Sequence, residues 1–315
     1  MRWLLLFSLF SQVQSSVMKM ISIYGIETES RNFVCSWVHP VEYYIERLKD
    51  FGFNGIRYPF AHQYVIENNW DRFDAGMYYA NLFNMSVILD FHRVVNTHQT
   101  YSPLSDLSLE QFTQTWFNVL DRYQHYPNLL GHNIWNEFMG SYNNVGELRY
   151  YTEHVMNEIE KRYGDRFNHY VTGHSWSGNL SGCSMEHLPY KDRIFYSVHK
   201  YIFSLPPNTN SDTYDYEWDW DNSFAKLKDI PKEKVIIGEW SWMDNNEKDI
   251  KWAKRFIKYL KKNDIRNTSY FTIANTRDTG NTWFDNCLDV KYETILLLHK
   301  LWDDEMYLRK SFKSI

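Results

Sequence analysis

Cysteine is scarce in this chain. Three occur among 315 residues, Cys35, Cys183 and Cys287, so at most one internal disulfide can form, one thiol is left over, and the spacing matches no zinc pattern. Clustered Lys and Arg are missing too. The formal charge is −5, and phosphate binding needs concentrated positive charge, so nucleic acid is excluded as a partner. The Lys-rich stretch from Lys248 to Lys262 interleaves its charges with Ile250, Trp252, Ala253, Phe256, Ile257 and Leu260, which is the polar face of an amphipathic helix. No apolar run reaches the ~20 residues that span a bilayer. No G-x-G-x-x-G follows a strand pattern, as a dinucleotide fold would require. No Ser/Pro/Thr-rich linker divides the chain. One domain is expected, with no appended module, no cofactor and no metal.

Aromatic residues are abundant. They make up 18% of the chain, with 13 Trp, 24 Tyr and 20 Phe, against an ordinary 43% hydrophobic and 23% charged content. Trp and Tyr pair a flat apolar face with a polar edge, which suits a ligand that is itself half apolar, such as a pyranose ring. The N-terminus reads Met1-Arg2-Trp3, then L-L-L-F-S-L-F and S-Q-V-Q-S-S, with Val13 and Ser15 at plausible −3 and −1 positions. One basic residue, a short apolar run and small residues predict a secretory signal over residues 1–16, leaving a mature domain over 17–315. A secreted, extracellular glycoprotein is therefore expected, with no membrane attachment after signal removal. N-x-S sequons at Asn84, Asn179 and Asn267 accord with this.

Periodicity gives short β-branched or aromatic runs alternating with longer amphipathic segments. Strands are predicted from Ile21 (I-S-I-Y-G-I), Asn54 (N-G-I-R-Y), Ser86 (S-V-I-L-D-F-H) and Leu129 (L-L-G-H-N-I-W-N-E). Four more start at His169 (H-Y-V-T-G), Arg193 (R-I-F-Y-S-V-H), Lys234 (K-V-I-I-G-E-W) and Thr268 (T-S-Y-F-T-I-A-N). Helices are predicted from Val41 to Phe51, Arg72 to Asn84, Leu109 to Tyr123, Glu147 to Tyr163, Phe224 to Lys228, Lys248 to Lys262 and Val290 to Trp302. Eight such units imply an α/β fold closed as a single (β/α)₈ TIM barrel.

In such a barrel, chemistry collects at the C-terminal ends of the strands. Arg57, His92, Asn136, Glu137, His199, Tyr201 and Glu239 all fall there. Glu137 on the fourth strand and Glu239 on the seventh would face each other across the mouth. Opposed carboxylates are what glycoside hydrolysis requires: one protonates the leaving oxygen, the other attacks the anomeric carbon or activates water.

These residues sit in stretches that resemble glycoside hydrolase family 5, the cellulase family of retaining (β/α)₈ enzymes, and its endoglucanases in particular. The stretches are Y-G-I-E-T from Tyr24, G-F-N-G-I-R-Y-P-F from Gly52, I-L-D-F-H from Ile88 and I-W-N-E from Ile134. Further along come G-N-L-S-G from Gly178, Y-S-V-H-K-Y from Tyr196, I-I-G-E-W from Ile236 and D-T-G from Asp278, in the family's order. The resemblance implies an endo-acting β-1,4-glucan hydrolase, with a β-mannanase, another β-glucan hydrolase or a non-hydrolytic sugar-binding barrel as alternatives. It implies Glu137 as acid/base with a raised pKa, and Glu239 as nucleophile, paired with Arg57 and oriented by Tyr201. Asn136 would bind the sugar 2-OH, and His92 and His199 would line the subsite of the attacked ring. A polysaccharide or oligosaccharide is the implied partner, and a monomer is expected.

The sequence departs from the family in two places. Counting back from Asn275 puts Thr272 where the family has a Trp under the cleavage subsite, and Phe138 replaces the proline after the acid. Trp240, Trp242 or Trp283 are candidates to supply the missing indole. Trp37, Trp176, Trp218, Trp220 and Trp283 lie in loops after strands, and Trp37, Trp176, Trp240 and Trp283 are expected to contact substrate. Because the first and eighth strands of a barrel are neighbours, Cys35 with Cys287 is the preferred disulfide. G-H-S-W-S-G from Gly173 nearly spells the serine-hydrolase elbow but fails at Ser177, and no helix follows it.

Overall fold

Each of the predicted strand signals becomes a strand, and each strand pairs in parallel with the next. They are β1 (Lys19–Ser22), β2 (Gly55–Ala61), β3 (Ser86–Arg93), β4 (Leu129–Asn133), β5 (Asn168–Thr172), β6 (Ile194–Lys200), β7 (Val235–Trp240) and β8 (Thr268–Tyr270). β8 returns to β1 and closes the barrel. The structure is a computed structural model that describes residues 17–204, 213–274, 279–280, 282–283 and 286–304. The predicted signal over residues 1–16 lies outside the described residues, as do Asn275 and Asp278.

The helices α1 (Val41–Asp50), α2 (His62–Ile66), α3 (Asp71–Leu82), α4 (Leu109–Tyr123), α5 (Val145–Tyr163), α6 (Tyr216–Trp220), α7 (Glu247–Lys262) and α8 (Tyr292–Leu301) lie between and after the strands, two of them after β2 and none after β5, where a loop with a single 3₁₀ turn leads to β6. α4 starts where predicted because Ser108 and Gln111 form a reciprocal cap: Gln111 N donates to Ser108 Oγ at 3.1 Å and Ser108 N to Gln111 Oε1 at 2.8 Å. α7 buries Trp252, Ala253, Phe256, Ile257 and Leu260 and leaves its lysines outside. The helix predicted from Phe224 to Lys228 is instead α6 running on into a π-helical turn, Asp221–Ala225. The short α2 was not predicted, since five residues show no periodicity. β1 ends at Ser22 rather than Ile26, β4 stops at Asn133 rather than Glu137, and β8 ends at Tyr270.

Side chains alternate between the two faces of a strand, so the barrel wall has an inside and an outside. Low in the interior, Met20, Ile88, Tyr170 and Ile236 form a small apolar plug. Toward the C-terminal ends the interior turns polar, beginning with Ser22 and Ser269, whose hydroxyls meet at 2.9 Å. Outside, aromatics fill the space beneath the helices, as where Phe91 meets Phe112 at 5.0 Å and Phe60 meets Trp116 edge-on at 5.2 Å.

One irregularity bears directly on the mouth. Val198 pairs with Ile237 but His199 pairs with Glu239, so Gly238 is an extra residue in β7. Strict alternation from the inward Ile236 would point Trp240 inside and Glu239 outside; the bulge reverses both. The bulge is tight around Gly238: a Cβ there would lie 1.9 Å from Ser197 Oγ, so that hydroxyl would have to turn away to admit a larger residue.

Cys35 and Cys287 form a disulfide with Cα atoms 5.4 Å apart, joining the loop after β1 to the segment before α8. Cys183 remains a buried thiol. No helix among the described residues is long and apolar enough to cross a membrane.

Candidate active site

The polar side chains predicted for the rim converge on one network. Arg57, on the inner face of β2, is buried and reaches three acceptors. One guanidinium nitrogen donates to Glu239 Oε1 at 2.6 Å, and the other to Asn136 Oδ1 at 2.6 Å and to Asp90 Oδ1 at 2.8 Å. Tyr201 OH donates to the second oxygen of Glu239 at 2.9 Å. Glu239 is thus fixed at both oxygens, by a cation on one side and a phenol on the other.

Glu137 has a different shell. Gln99 Nε2 donates to its Oε2 at 3.0 Å, and its Oε1 lies 2.9 Å from His199 Nδ1. His199 is fully enclosed, and burial pushes its pKa down to about 4, so the ring is neutral at ordinary pH and sets no cation beside the acid. Desolvation raises the Glu137 pKa, only partly offset by the Gln99 hydrogen bond and by the more distant His92 and Arg57. At the mouth, one ligand-type atom each from Glu137, His199 and Glu239 lies within 4.8 Å of the others. Such a trio resembles a cation site, but the Arg57 guanidinium already on Glu239 opposes a second positive charge there.

His92 stands behind this pair. Its Nδ1 donates to Asp90 Oδ2 at 2.6 Å, and its Nε2 lies 3.2 Å from Asn136 Nδ2. Burial disfavours the charged ring, but the adjacent Asp90 carboxylate outweighs it and the His92 pKa rises. Asp90 is desolvated as well, yet Arg57 and His92 together hold its carboxyl below the usual range. Asp90 was missed in the sequence, although it stands two residues before His92 and so must share its face. Gln99 was missed for a better reason: it lies in an irregular loop where neither period nor motif marks it.

Two aromatic expectations are corrected. Trp240 does not face the mouth. The bulge turns it outward, fully buried against Trp242, Phe256 and Tyr270 at centroid distances of 5.5, 5.6 and 5.9 Å. Trp283 is also fully buried, wedged against Tyr44 and Phe51 at 5.6 Å each, with no free face for a sugar. Trp220 and Trp242 are buried as well. Trp37, Trp176 and Trp218 are 59%, 54% and 65% exposed and keep open ring faces.

Thr272 proves not to be a floor residue: it is buried, and its hydroxyl donates to the Ser22 carbonyl. The residue before it, Phe271, lies just past the end of β8 and is edge-on to Tyr24, in the loop after β1, at 6.0 Å. Beside the acid, Ser175, Trp176 and Ser177 stand at φ 54°, 55° and 57°, a left-handed turn that costs about 1–2 kcal/mol per residue.

A closed parallel barrel with two carboxylates facing each other over its C-terminal rim defines the class: a (β/α)₈ glycoside hydrolase. The model of Cellulase (glycosyl hydrolase family 5) matches residues 19–276, and the chain belongs to that family. An endoglucanase of Paenibacillus polymyxa is 22% identical over 309 residues, covering 84% of this chain and 77% of the relative. An endocellulase of Pyrococcus horikoshii, solved with cellotetraose, superposes with a TM-score of 0.78 at 19% identity, covering 92% of this chain and 93% of that one. The catalytic domain of the major endoglucanase of Xanthomonas campestris pv. campestris gives 0.75 at 18% identity, covering 92% and 96%.

Proposed function

We propose that the protein is a secreted, monomeric, retaining endo-hydrolase of β-1,4-linked glucan that works by double displacement. The observation that carries the reading is the contrast of the two carboxylates at close range: reacting atoms within 4.8 Å, one acid with its pKa raised by burial, the other in an ion pair with Arg57 at 2.6 Å. Retaining enzymes hold their carboxyl groups about 5–5.5 Å apart, because the nucleophile must reach the anomeric carbon directly.

In the first step Glu239 attacks that carbon as Glu137 gives its proton to the departing glycosidic oxygen. In the second, Glu137, now a carboxylate, takes a proton from water, which attacks the same carbon and breaks its bond to Glu239. Asn136 is held by Arg57 in position for the sugar 2-OH, and His92 and His199 flank the ring. Phe271 takes the floor position assigned in the sequence to Thr272, offering a smaller face than an indole. Trp37 and Trp176 are the exposed platforms for further sugar units, and their exposure supports a chain-binding rather than a single-sugar site. Secretion is supported by the disulfide and by the exposure of the sequon residue Asn84.

The test is a reducing-end assay on β-1,4-glucan, mixed-linkage glucan, mannan and xylan, with the anomer of the first product followed by NMR. Cleavage of β-1,4-glucan with retention, abolished in Glu137→Gln and Glu239→Gln, is expected. Inverted product, or unchanged hydrolysis in either variant, rejects the mechanism, and preference for mannan reassigns the substrate.

A further inference from the structure

The motif G-H-S-W-S-G is not a nucleophile elbow, yet its backbone is unusual. Ser175, Trp176 and Ser177 form the one run of consecutive non-glycine residues at positive φ among the described residues. Such a conformation persists only where the surroundings over-determine it. Here the determinants are hydrogen bonds, and they go to two places. Ser175 N donates to the Gly140 carbonyl at 2.6 Å and Trp176 N to the Phe138 carbonyl at 2.9 Å. Ser177 Oγ donates to the Asn136 carbonyl at 2.9 Å. Three successive residues therefore grip three carbonyls of the segment that carries Glu137. In the other direction, the Ser177 carbonyl accepts from His199 N at 2.9 Å. Ser177, itself fully buried, ties β4's extension to β6 at Asn136, the residue before Glu137, and at His199, the residue Glu137 contacts.

We propose that Ser177 is a positioning residue for the acid/base, its hydroxyl fixing where the Glu137 carboxyl stands relative to His199 and the leaving oxygen. The inference rests on Glu137 being the acid/base. A proton donor works only within hydrogen-bond reach of the oxygen it protonates, so releasing the Asn136 carbonyl weakens acid catalysis first. Glu239 has two bonds of its own on β7, from Arg57 and Tyr201; Arg57 also meets the Asn136 side chain, not the carbonyl that Ser177 holds, so nucleophilic attack is disturbed less than acid catalysis. The left-handed turn is what lets one residue use its hydroxyl and its carbonyl on opposite neighbours.

The experiment compares kcat/KM for phenyl β-cellobioside, whose leaving group needs a proton, with that for 2,4-dinitrophenyl β-cellobioside, whose leaving group departs unaided. Wild type, Ser177→Ala, Ser177→Gly and Glu137→Gln are measured, each with its Tm. Glycine accepts the left-handed backbone without penalty and serves if the alanine variant does not fold. The expected result is a loss of about tenfold or more on the phenyl substrate, with less than about a twofold change on the dinitrophenyl one. A merely structural role lowers Tm and both rates together. Losses on the two substrates whose ratio stays near one, at any size, overturn the proposal. A split in Glu137→Gln without one in the Ser177 variants removes only the role of Ser177; no split in Glu137→Gln means the acid/base reading has failed and this inference with it.

Discussion

Glu239 and Trp240 are neighbours on one strand and live in different environments. Glu239 faces the mouth, bonded to Arg57 and Tyr201, while Trp240 faces the helices, packed on Phe256 and Tyr270. The wall between them separates chemistry from stability: inward residues near the rim hold charges and protons, and outward residues hold helices to the sheet. Substitutions on the two sides should therefore fail in different ways.

The largest effect is expected inside. Glu239→Gln should lower kcat by roughly 10⁴-fold or more, as removal of a covalent nucleophile does, with far-UV circular dichroism unchanged. Loss of fold instead of rate would blur the division. Across the wall, Trp240→Ala should cost about 3–5 kcal/mol, read by urea unfolding, while kcat per folded molecule stays within about tenfold of wild type. If the rate collapses as far as in Glu239→Gln, the wall does not separate the two roles.

A smaller effect concerns pH. The His199 pKa in the folded protein, about 4, lies below its unfolded value of about 6.5, so the unfolded chain takes up the proton first as pH falls. Its contribution is intact above about pH 6.5, declines toward pH 4 and then levels, a loss of roughly 3 kcal/mol. His92 acts in the opposite sense: its raised pKa gives stability that is present at low pH and lost as pH rises through the folded value. Urea midpoints between pH 7 and pH 4 should fall less steeply for His199→Asn than for wild type; parallel curves would show that His199 does not titrate as its burial implies.

The smallest effect belongs to the rim. Trp176→Ala should change stability by less than about 0.5 kcal/mol and raise KM for long cello-oligosaccharides by roughly 2- to 10-fold, the worth of one stacking contact. An unchanged KM for every chain length would leave Trp176 outside the substrate path.

The same wall explains what could be read from sequence. Strand existence and order followed from periodicity, and the charged rim residues stood out because a buried Arg, His or Glu needs a partner wherever it lies. Asp90 was equally legible by its two-residue offset from His92. The tryptophans were not, because both sides of the wall welcome an indole. The deciding fact for Trp240, one extra residue at Gly238, is visible only in the register between β6 and β7. Phe271 was overlooked for a related reason: counting back from Asn275 assumed a regular strand, whereas β8 ends at Tyr270.

The Cys35–Cys287 bond spans 252 residues, so the strands from β2 to β8 all lie on one covalent circle. A circle must be cut twice before a piece can leave. One proteolytic nick in a loop between these cysteines, including any loop around the cleft, yields a linear chain still joined to itself. Such a nicked molecule should migrate as one species on a denaturing gel without reductant and as two once thiols are added.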